Sequence, residues 1–540
     1  MTALSSTTRS LARGADSLAL PVQPLQLHEL SVGSLVCAIS PAGAGFLRYG
    51  ACHVTRQASA AHGEPLGCYT FVRDRTTGQF WSTTILPTLV GGAAESFQVH
   101  DDTAIYSRTI DEIVHRTTVL LVPDLHAEVR HIRLTNESSR PRQLEVTTYA
   151  EVVIGRGAAD RAHPAFAKLF LETQFDRAHE ALFAARRPRD PSDPNICAAH
   201  ICLATDSDNW HAEIEYETDR ARFIGRGRSL ANPRALVGNG PLSRNVGAVL
   251  DPIFSLRRVV DLGPGETAEI AFAIVAANDH SALREQISQL RNRHVATVQD
   301  ESPAQQPADS AGPLRIDAAG ATLNSHSAAV TVEKHNNSTS DGLLRADRAH
   351  QSERFANGLG DFSADGKEYV LRLASGADGS LQLPPMPWCN VVANEQAGFI
   401  VSERGAGCTW VGNSRTNRLT PWSNDPVTDP HSEALYLRDD ETGRCWSPVP
   451  GPLPDTGEYE VRHGWGYSQF THQTDQLRQQ TTMFVPRREP VKVTVVELTN
   501  LGERPRHVTF TNFLRWELGK ADDTNERPIE MQLADGGATC

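Results

Sequence analysis

The sequence predicts a mainly β chain: two tandem antiparallel sheet domains, the second truncated, joined by a partly helical, partly disordered linker. Three observations predict it. A strand–turn–strand string, Phe71-Val-Arg73-Asp74-Arg-Thr-Thr-Gly78-Gln-Phe-Trp81-Ser82, returns 365 residues later as Tyr436-Leu-Arg438-Asp439-Asp-Glu-Thr-Gly443-Arg-Cys-Trp446-Ser447. A second string, Leu134-Thr-Asn136 followed by Arg140-Pro141-Arg142, returns 364 residues later as Leu498-Thr-Asn500 and Arg504-Pro505-Arg506. One net indel across so long a span means that a whole domain is duplicated. The composition agrees: 40 Gly and 32 Pro with 6% aromatics suit a turn-rich β protein, and 540 residues exceed one hydrophobic core.

The last strand of each copy carries the clearest alternation. Leu144, Val146, Thr148, Ala150, Val152 and Ile154 share one face, and Val508, Phe510, Asn512, Leu514, Trp516 and Leu518 match them. Each run predicts a one-sided strand of 11 or more residues in a large sheet packed against another. The strand before it changes phase in both copies: Ala127 and Val129 then Ile132 and Leu134, Val491 and Val493 then Val496 and Leu498. A bulge explains this, and so does a strand buried on both faces. Leu283, Ile287, Leu290 and Val295 predict one amphipathic helix over 281–297. Residues 300–350 read as linker with one stray strand near Ala328–Val332. The expected layout is an N-terminal extension 1–30, a first domain 31–278, a linker 279–354 and a second domain 355–540.

Charge and cysteine usage bound the function. The net charge of −13, from 52 basic and 65 acidic residues, argues against nucleic acid or an anionic membrane surface as the main partner. No apolar run reaches the ~18–20 residues of a membrane span, and no apolar signal core opens the chain. Nine scattered cysteines without a C-x-x-C pair read as small buried hydrophobes, with a reducing, cytoplasmic location as the expectation. No metal, cofactor or nucleotide motif is present, so no cofactor is expected.

Several longer strings point to a family. The first copy carries Ala162-His163-Pro164-Ala165-Phe166, Glu217-Thr218-Asp219-Arg220, Gly225-Arg226-Gly227-Arg228 and Leu250-Asp251-Pro252. The second carries Phe355-Ala-Asn357-Gly358, Asp365-Gly366, Pro387-Trp388-Cys-Asn390, Leu419-Thr420-Pro421-Trp422-Ser423-Asn424-Asp425-Pro426-Val427 and Arg462-His463-Gly464-Trp465-Gly466-Tyr467. Together these resemble the C-terminal region of cyclic β-1,2-glucan synthases, related to glycoside hydrolase family 94 (formerly glycosyltransferase family 36 associated). The resemblance implies two galactose mutarotase-like supersandwich domains that precede an (α/α)6 barrel bearing the catalytic Asp. No stretch here resembles that barrel, and the family's Thr-Arg-Trp-Arg-x-Asp is only Thr55-Arg56-Gln57 in this chain. The resemblance therefore implies a carbohydrate-binding or scaffolding piece without catalytic residues. Its partners would be a β-1,2-linked β-glucan and a catalytic (α/α)6 barrel or a second copy of the chain.

The candidate sugar-contacting residues are Trp410, Asn413, Arg415, Trp422, Asn424 and Asp425, with His463 and Tyr467. Trp faces cover the apolar side of a pyranose while Asn, Asp and Arg pair with its hydroxyls. The competing expectation is turn chemistry at Pro421-Trp422 and Asp425-Pro426, with Arg415 paired to Asp425. Nothing in the sequence places a carboxylate beside His463. Arg220, Arg222, Arg226, Arg228, Arg257 and Arg258 read as surface ion pairs or as a phosphate site. Arg73-Asp74 and Arg438-Asp439 read as hairpin geometry.

Overall fold

The computed structural model describes residues 26–57, 66–300, 327–332, 357–519, 532–534 and 537–539, apart from 101, 123, 163, 189, 191–194, 204–208, 212, 239 and 377–378. His163 and most of the expected linker lie outside the described residues. The architecture is mainly β, and every strand pairing described is antiparallel.

The first half is two facing sheets. One contains nine strands, with Arg142–Gly155 between Pro252–Leu262 and Tyr69–Asp74. The other contains eight and runs from Leu171–Asp176 to Ala93–His100. Leu47, Trp81, Ile132, Leu134, Leu144, Val146, Phe254 and Phe272 belong to the buried core between them. On the outer side of the eight-stranded sheet, the helix His280–Asp300 lays Leu283, Ile287 and Leu290 over Ala127, Val129 and Phe183. The helix is longer than its sequence pattern predicts.

The phase switch in Ala127–Asn136 is thereby explained. Its registers with Ile113–Val122 and Thr267–Ala277 are continuous, so there is no bulge. The odd residues face the helix and the even ones the inter-sheet core. Arg142–Gly155 corrects the expectation of a one-sided strand. Its second face, Glu145, Thr147, Tyr149 and Glu151, is also buried, because Phe223, Ile224, Leu236 and Leu242 pack outside it.

The second half repeats this plan. Hairpin Tyr69–Asp74/Phe80–Ser82 matches Glu433–Asp439/Cys445–Trp446, each closed through a glycine at φ +73° or +72°. Asp74 accepts from the backbone N–H groups of Thr76 and Thr77, and Asp439 from those of Glu441 and Thr442. Arg142 then pairs with Asp74 at 2.6 Å, as Arg506 does with Asp439 at 2.5 Å. Trp81 donates to His115 at 2.7 Å, and Trp446 to Gln479 at 2.9 Å. The single indel thus falls between Trp81 and His115.

The copies differ at their ends. Arg506–Leu514 has nine residues against fourteen in Arg142–Gly155, so the expectation of an equally long strand does not hold. Its outer neighbour is Ser327–Val332 from the linker region, with Val332 opposite Arg506 and Ser327 opposite Thr511. In the first copy Leu262 and Arg257 occupy the equivalent register, opposite Arg142 and Thr147. A strand from before the second copy stands where the first copy uses its own later strand.

Candidate functional site: the seam between the copies

The two halves meet along a polar seam anchored by Arg220. This residue leads the short helix Arg220–Ile224, capped by Asp219, and its side chain is buried on the outer face of the nine-stranded sheet. Its guanidinium meets Asp425 of the second copy at 2.8 and 2.7 Å, Asp251 at 3.1 Å and Glu151 at 2.9 Å. Lys168 closes on Asp251 at 2.5 Å, and Arg56 joins Glu151 at 2.7 Å and Asp160 at 3.0 Å. Burial raises the Asp425 carboxyl's affinity for a proton, but Arg220 more than reverses this and holds it far below the usual carboxylate range. Asp425 also accepts from the N–H groups of Val427 and Thr428, so the loop that bears it is fixed. Val427 inserts into the first copy's outer apolar cluster, and its carbonyl accepts from the N–H of Gly227 at 2.7 Å. Gly227 sits at φ +73°, and a Cβ there would lie 2.8 Å from Leu383, so only glycine permits this approach.

A second group continues the seam. Arg226 reaches Glu403 at 2.6 Å and Asp429 at 3.5 Å, both on the second copy. Glu403 also accepts from the N–H of Trp388 at 2.8 Å, and Asp429 accepts from Ser402 at 2.8 Å. Burial, opposed by Arg226 and assisted by Asp429, pushes the Glu403 carboxyl up to about 7. Burial likewise raises Asp429. A carboxyl poised near neutrality beside a cation can hold or release a proton under ordinary conditions.

Beyond Trp388 the seam opens onto the six-stranded sheet. The Trp388 carbonyl lies 3.1 Å from Nε2 of His463, whose Nδ1 lies 3.0 Å from the Ser468 hydroxyl. Both ring nitrogens are therefore engaged, and burial lowers the imidazole to about 4, so it is neutral near pH 7. Tyr467 donates its hydroxyl to Glu368, which raises the phenol to about 12. Glu368, Arg462, Glu460 and Arg372 then alternate in sign across the sheet, at 2.8, 2.7 and 3.2 Å. Asn390 ties the turn down through the carbonyls of Gly464 and Tyr467. At the tip of that turn Trp465 is 87% exposed.

The structure separates the sequence candidates into three places. Trp410, half-buried over Gly398, and the exposed turn of Asn413 and Arg415 lie at one end of the sheet Cys389–Ala393/Ala397–Ser402/Gly407–Val411. Trp422, Asn424 and Asp425 lie at the seam, where Asn424 adopts φ +49°. His463 and Tyr467 lie beyond Trp388. Asp425 is paired with Arg220, not with Arg415, and Glu368 stands beside Tyr467, not beside His463. The arginines are corrected too: Arg220, Arg257 and Arg258 are buried, and Arg257 is spent on Glu215, Thr147 and the backbone of Ala235 and Gly240. The residues that sequence reasoning missed are Glu403, Glu368 and Trp465. Only Trp465, a tryptophan between two glycines, left a signal.

Comparison with known proteins places this geometry. The family described as glycosyl hydrolase 94, supersandwich domain, matches residues 22–293 and 367–533. The chain belongs to that family. Cyclic β-(1,2)-glucan synthase NdvB of Rhizobium meliloti (strain 1021) is 27% identical over 652 aligned residues, covering 91% of this chain and 23% of that protein. N,N'-diacetylchitobiose phosphorylase of Vibrio furnissii is 30% identical over 182 residues, covering 33% and 22%. This supersandwich chain spans about a quarter of the length of the curated relatives it matches. A bacterial glucoamylase structure overlays 51% of this chain and 37% of its own, at 9% identity and a TM-score of 0.31. Among the described residues of this supersandwich protein no helix is long and apolar enough to cross a membrane. No group of three or more metal-ligating side chains occurs among them either.

Proposed function

We propose that the chain is the carbohydrate-binding and scaffolding part of a cyclic β-1,2-glucan synthase-like protein, acting in the cytoplasm and not catalytic by itself. The observation that carries this reading is Trp465, a bare indole held over a turn whose neighbours Tyr467, Glu368 and Arg462 are locked together. An exposed ring backed by fixed carboxylate and guanidinium groups suits a pyranose, with its apolar face and hydroxyl rim. The kinship to NdvB favours a β-1,2-linked glucan. Asp425 then has a different duty, fixing the seam, and Trp422 beside it is a separate candidate for sugar contact.

A second reading has one supporting observation, the kinship to a phosphorylase. In it the chain is part of a family 94-type phosphorylase or transglycosylase that acts once a catalytic barrel is supplied. Calorimetric titration with linear and cyclic β-1,2-glucans, against β-1,3-glucan, tests the first reading. Saturable binding that falls at least tenfold in Trp465→Ala supports it, and a folded chain that gives no heat with any glucan sinks it.

A further inference from the structure

One seam residue, Glu403, holds Trp388 at both ends. The Glu403 backbone N–H donates to the Trp388 carbonyl at 3.0 Å, and the Glu403 carboxyl accepts the Trp388 N–H at 2.8 Å. The same Trp388 carbonyl lies 3.1 Å from Nε2 of His463. A carbonyl can only accept, so Nε2 carries the ring proton and Nδ1 accepts from the Ser468 hydroxyl at 3.0 Å. Asn390 donates to Ser468 at 3.0 Å and to the carbonyls of Gly464 and Tyr467 at 3.0 and 2.9 Å. Gly464 and Tyr467 are opposite each other in the hairpin, and Trp465 and Gly466 make the turn between them. An unbroken run of hydrogen bonds therefore joins the seam to the exposed indole.

The first copy holds the other end of that run. Arg226 lies between Gly225 and Gly227, whose N–H is bonded to the second copy at Val427. Among the described residues its guanidinium bonds only Glu403 and Asp429. Glu403 is fully buried and divides its oxygens: Oε1 takes Arg226 of the first copy, and Oε2 takes the Trp388 N–H of the second. A proton on this carboxyl removes the charge that strengthens both contacts. Asp429, Arg404 and the Cys389 thiol also face it. Partial desolvation pushes the Cys389 thiol up to about 12, and burial pushes His431, beside Arg404, down to about 3. Neither of those changes charge near neutrality.

We propose that Arg226 and Glu403 are positioning residues for the Trp465 turn. Ionised Glu403, paired with Arg226, fixes Trp388, and Trp388 fixes the turn through His463, Ser468 and Asn390. Sugar binding by the second copy then depends on a cation of the first copy and on the proton at Glu403. Burial sets that proton's release near pH 7, so glucan affinity rises as the pH climbs through neutrality. This is the opposite sense to the effect of Glu403 on stability, because ionisation of a buried carboxyl costs folding energy while it tightens the turn. The proposal rests on the reading of Trp465 as the sugar contact.

Two measurements on the full chain test it. Calorimetric titration with a linear β-1,2-glucan should give an affinity about fivefold stronger at pH 8 than at pH 6. Glu403→Gln, which keeps the shape but cannot ionise, should show no such change. Asp429→Asn should move the midpoint to lower pH, because it removes a like charge beside Glu403. Hydrogen exchange of the free protein supplies a readout that needs no sugar. At pH 8 residues 462–468 should exchange about fivefold faster in Arg226→Met than in the wild type, and Arg226→Lys should restore most of the protection. Parallel pH profiles for the wild type and Glu403→Gln overturn the proposal, as does equal exchange at the turn in a folded Arg226→Met chain. Turn protection that follows Arg226 without heat from any glucan sinks the sugar reading alone and leaves the positioning of the turn standing.

Discussion

Arg220 of the first copy and Asp425 of the second form a two-point ion pair at 2.8 and 2.7 Å, with the arginine side chain almost wholly buried. The pair fixes how the copies meet, since Asp425 also organises the loop that carries Val427 into the first copy's apolar cluster. Arg220→Met should cost roughly 3–5 kcal/mol, because it strands the Asp251, Glu151 and Asp425 carboxylates in a low-dielectric seam. Urea denaturation of the variant should show the halves unfolding in separate steps. A single transition at the wild-type midpoint would remove the seam from the account of stability.

Glu403 and His115 should bend the stability profile in opposite senses. The Glu403 carboxyl is raised to about 7 by burial, so the native state binds a proton that the unfolded chain releases near 4.5. Its stabilising contribution is full below about 4.5 and is lost as the pH climbs through about 7. Glu403→Gln should therefore flatten the fall in melting temperature between pH 5 and 7.5, and an unchanged slope would assign that proton elsewhere.

His115 works from the other side. Burial, then the Arg108 charge, lowers it to about 3, so it accepts the Trp81 N–H as a neutral ring. Its contribution is full above its ordinary value near 6.5 and is lost as the pH falls toward 3. The second copy holds Gln479 at the same place, bonded to Trp446. His115→Gln should thus keep the indole bond and make the first copy more resistant to acid, measured as melting temperature at pH 4.5 against pH 7.

The pairing of Ser327–Val332 with Arg506–Leu514 predicts a selective defect. Successive residues of a strand point their N–H groups to opposite sides, so Val330→Pro and Thr331→Pro together must remove at least one ladder bond. Hydrogen exchange in Arg506–Leu514 should accelerate by at least tenfold while Arg142–Gly155 keeps its protection. Equal exchange in both copies would show that the linker strand adds nothing.

How far the sequence disclosed this arrangement depends on what each signal measures. The repeated hairpins, with Asp74 and Asp439 at their turns, were legible because turn chemistry is local. The antiparallel sheets and the stray strand near Ala328–Val332 were legible from alternation. Arg220 was not, since a charge pattern carries no record of burial, and its partner lies 205 positions away. The second face of Arg142–Gly155 was missed for a related reason. Glu145 and Glu151 look solvent-facing until Arg73, Arg56 and Arg220 are seen to cover them. The phase switch at Ala127–Leu134 admitted two explanations, and only the helix on the outer face decides between them.

The linker strand has a consequence for synthesis. About 170 residues separate Val332 from its partner Arg506. At the ribosome's pace of about 5–20 residues per second, that strand waits roughly 9–35 s after emerging before its place exists. In the first copy the equivalent strand, Pro252–Leu262, finds its place already made, and the separation across that pairing is shorter. One half of the protein can close as it is translated. The other must keep an early piece in reserve, which gives the second copy the longer window in which a nascent strand can pair wrongly.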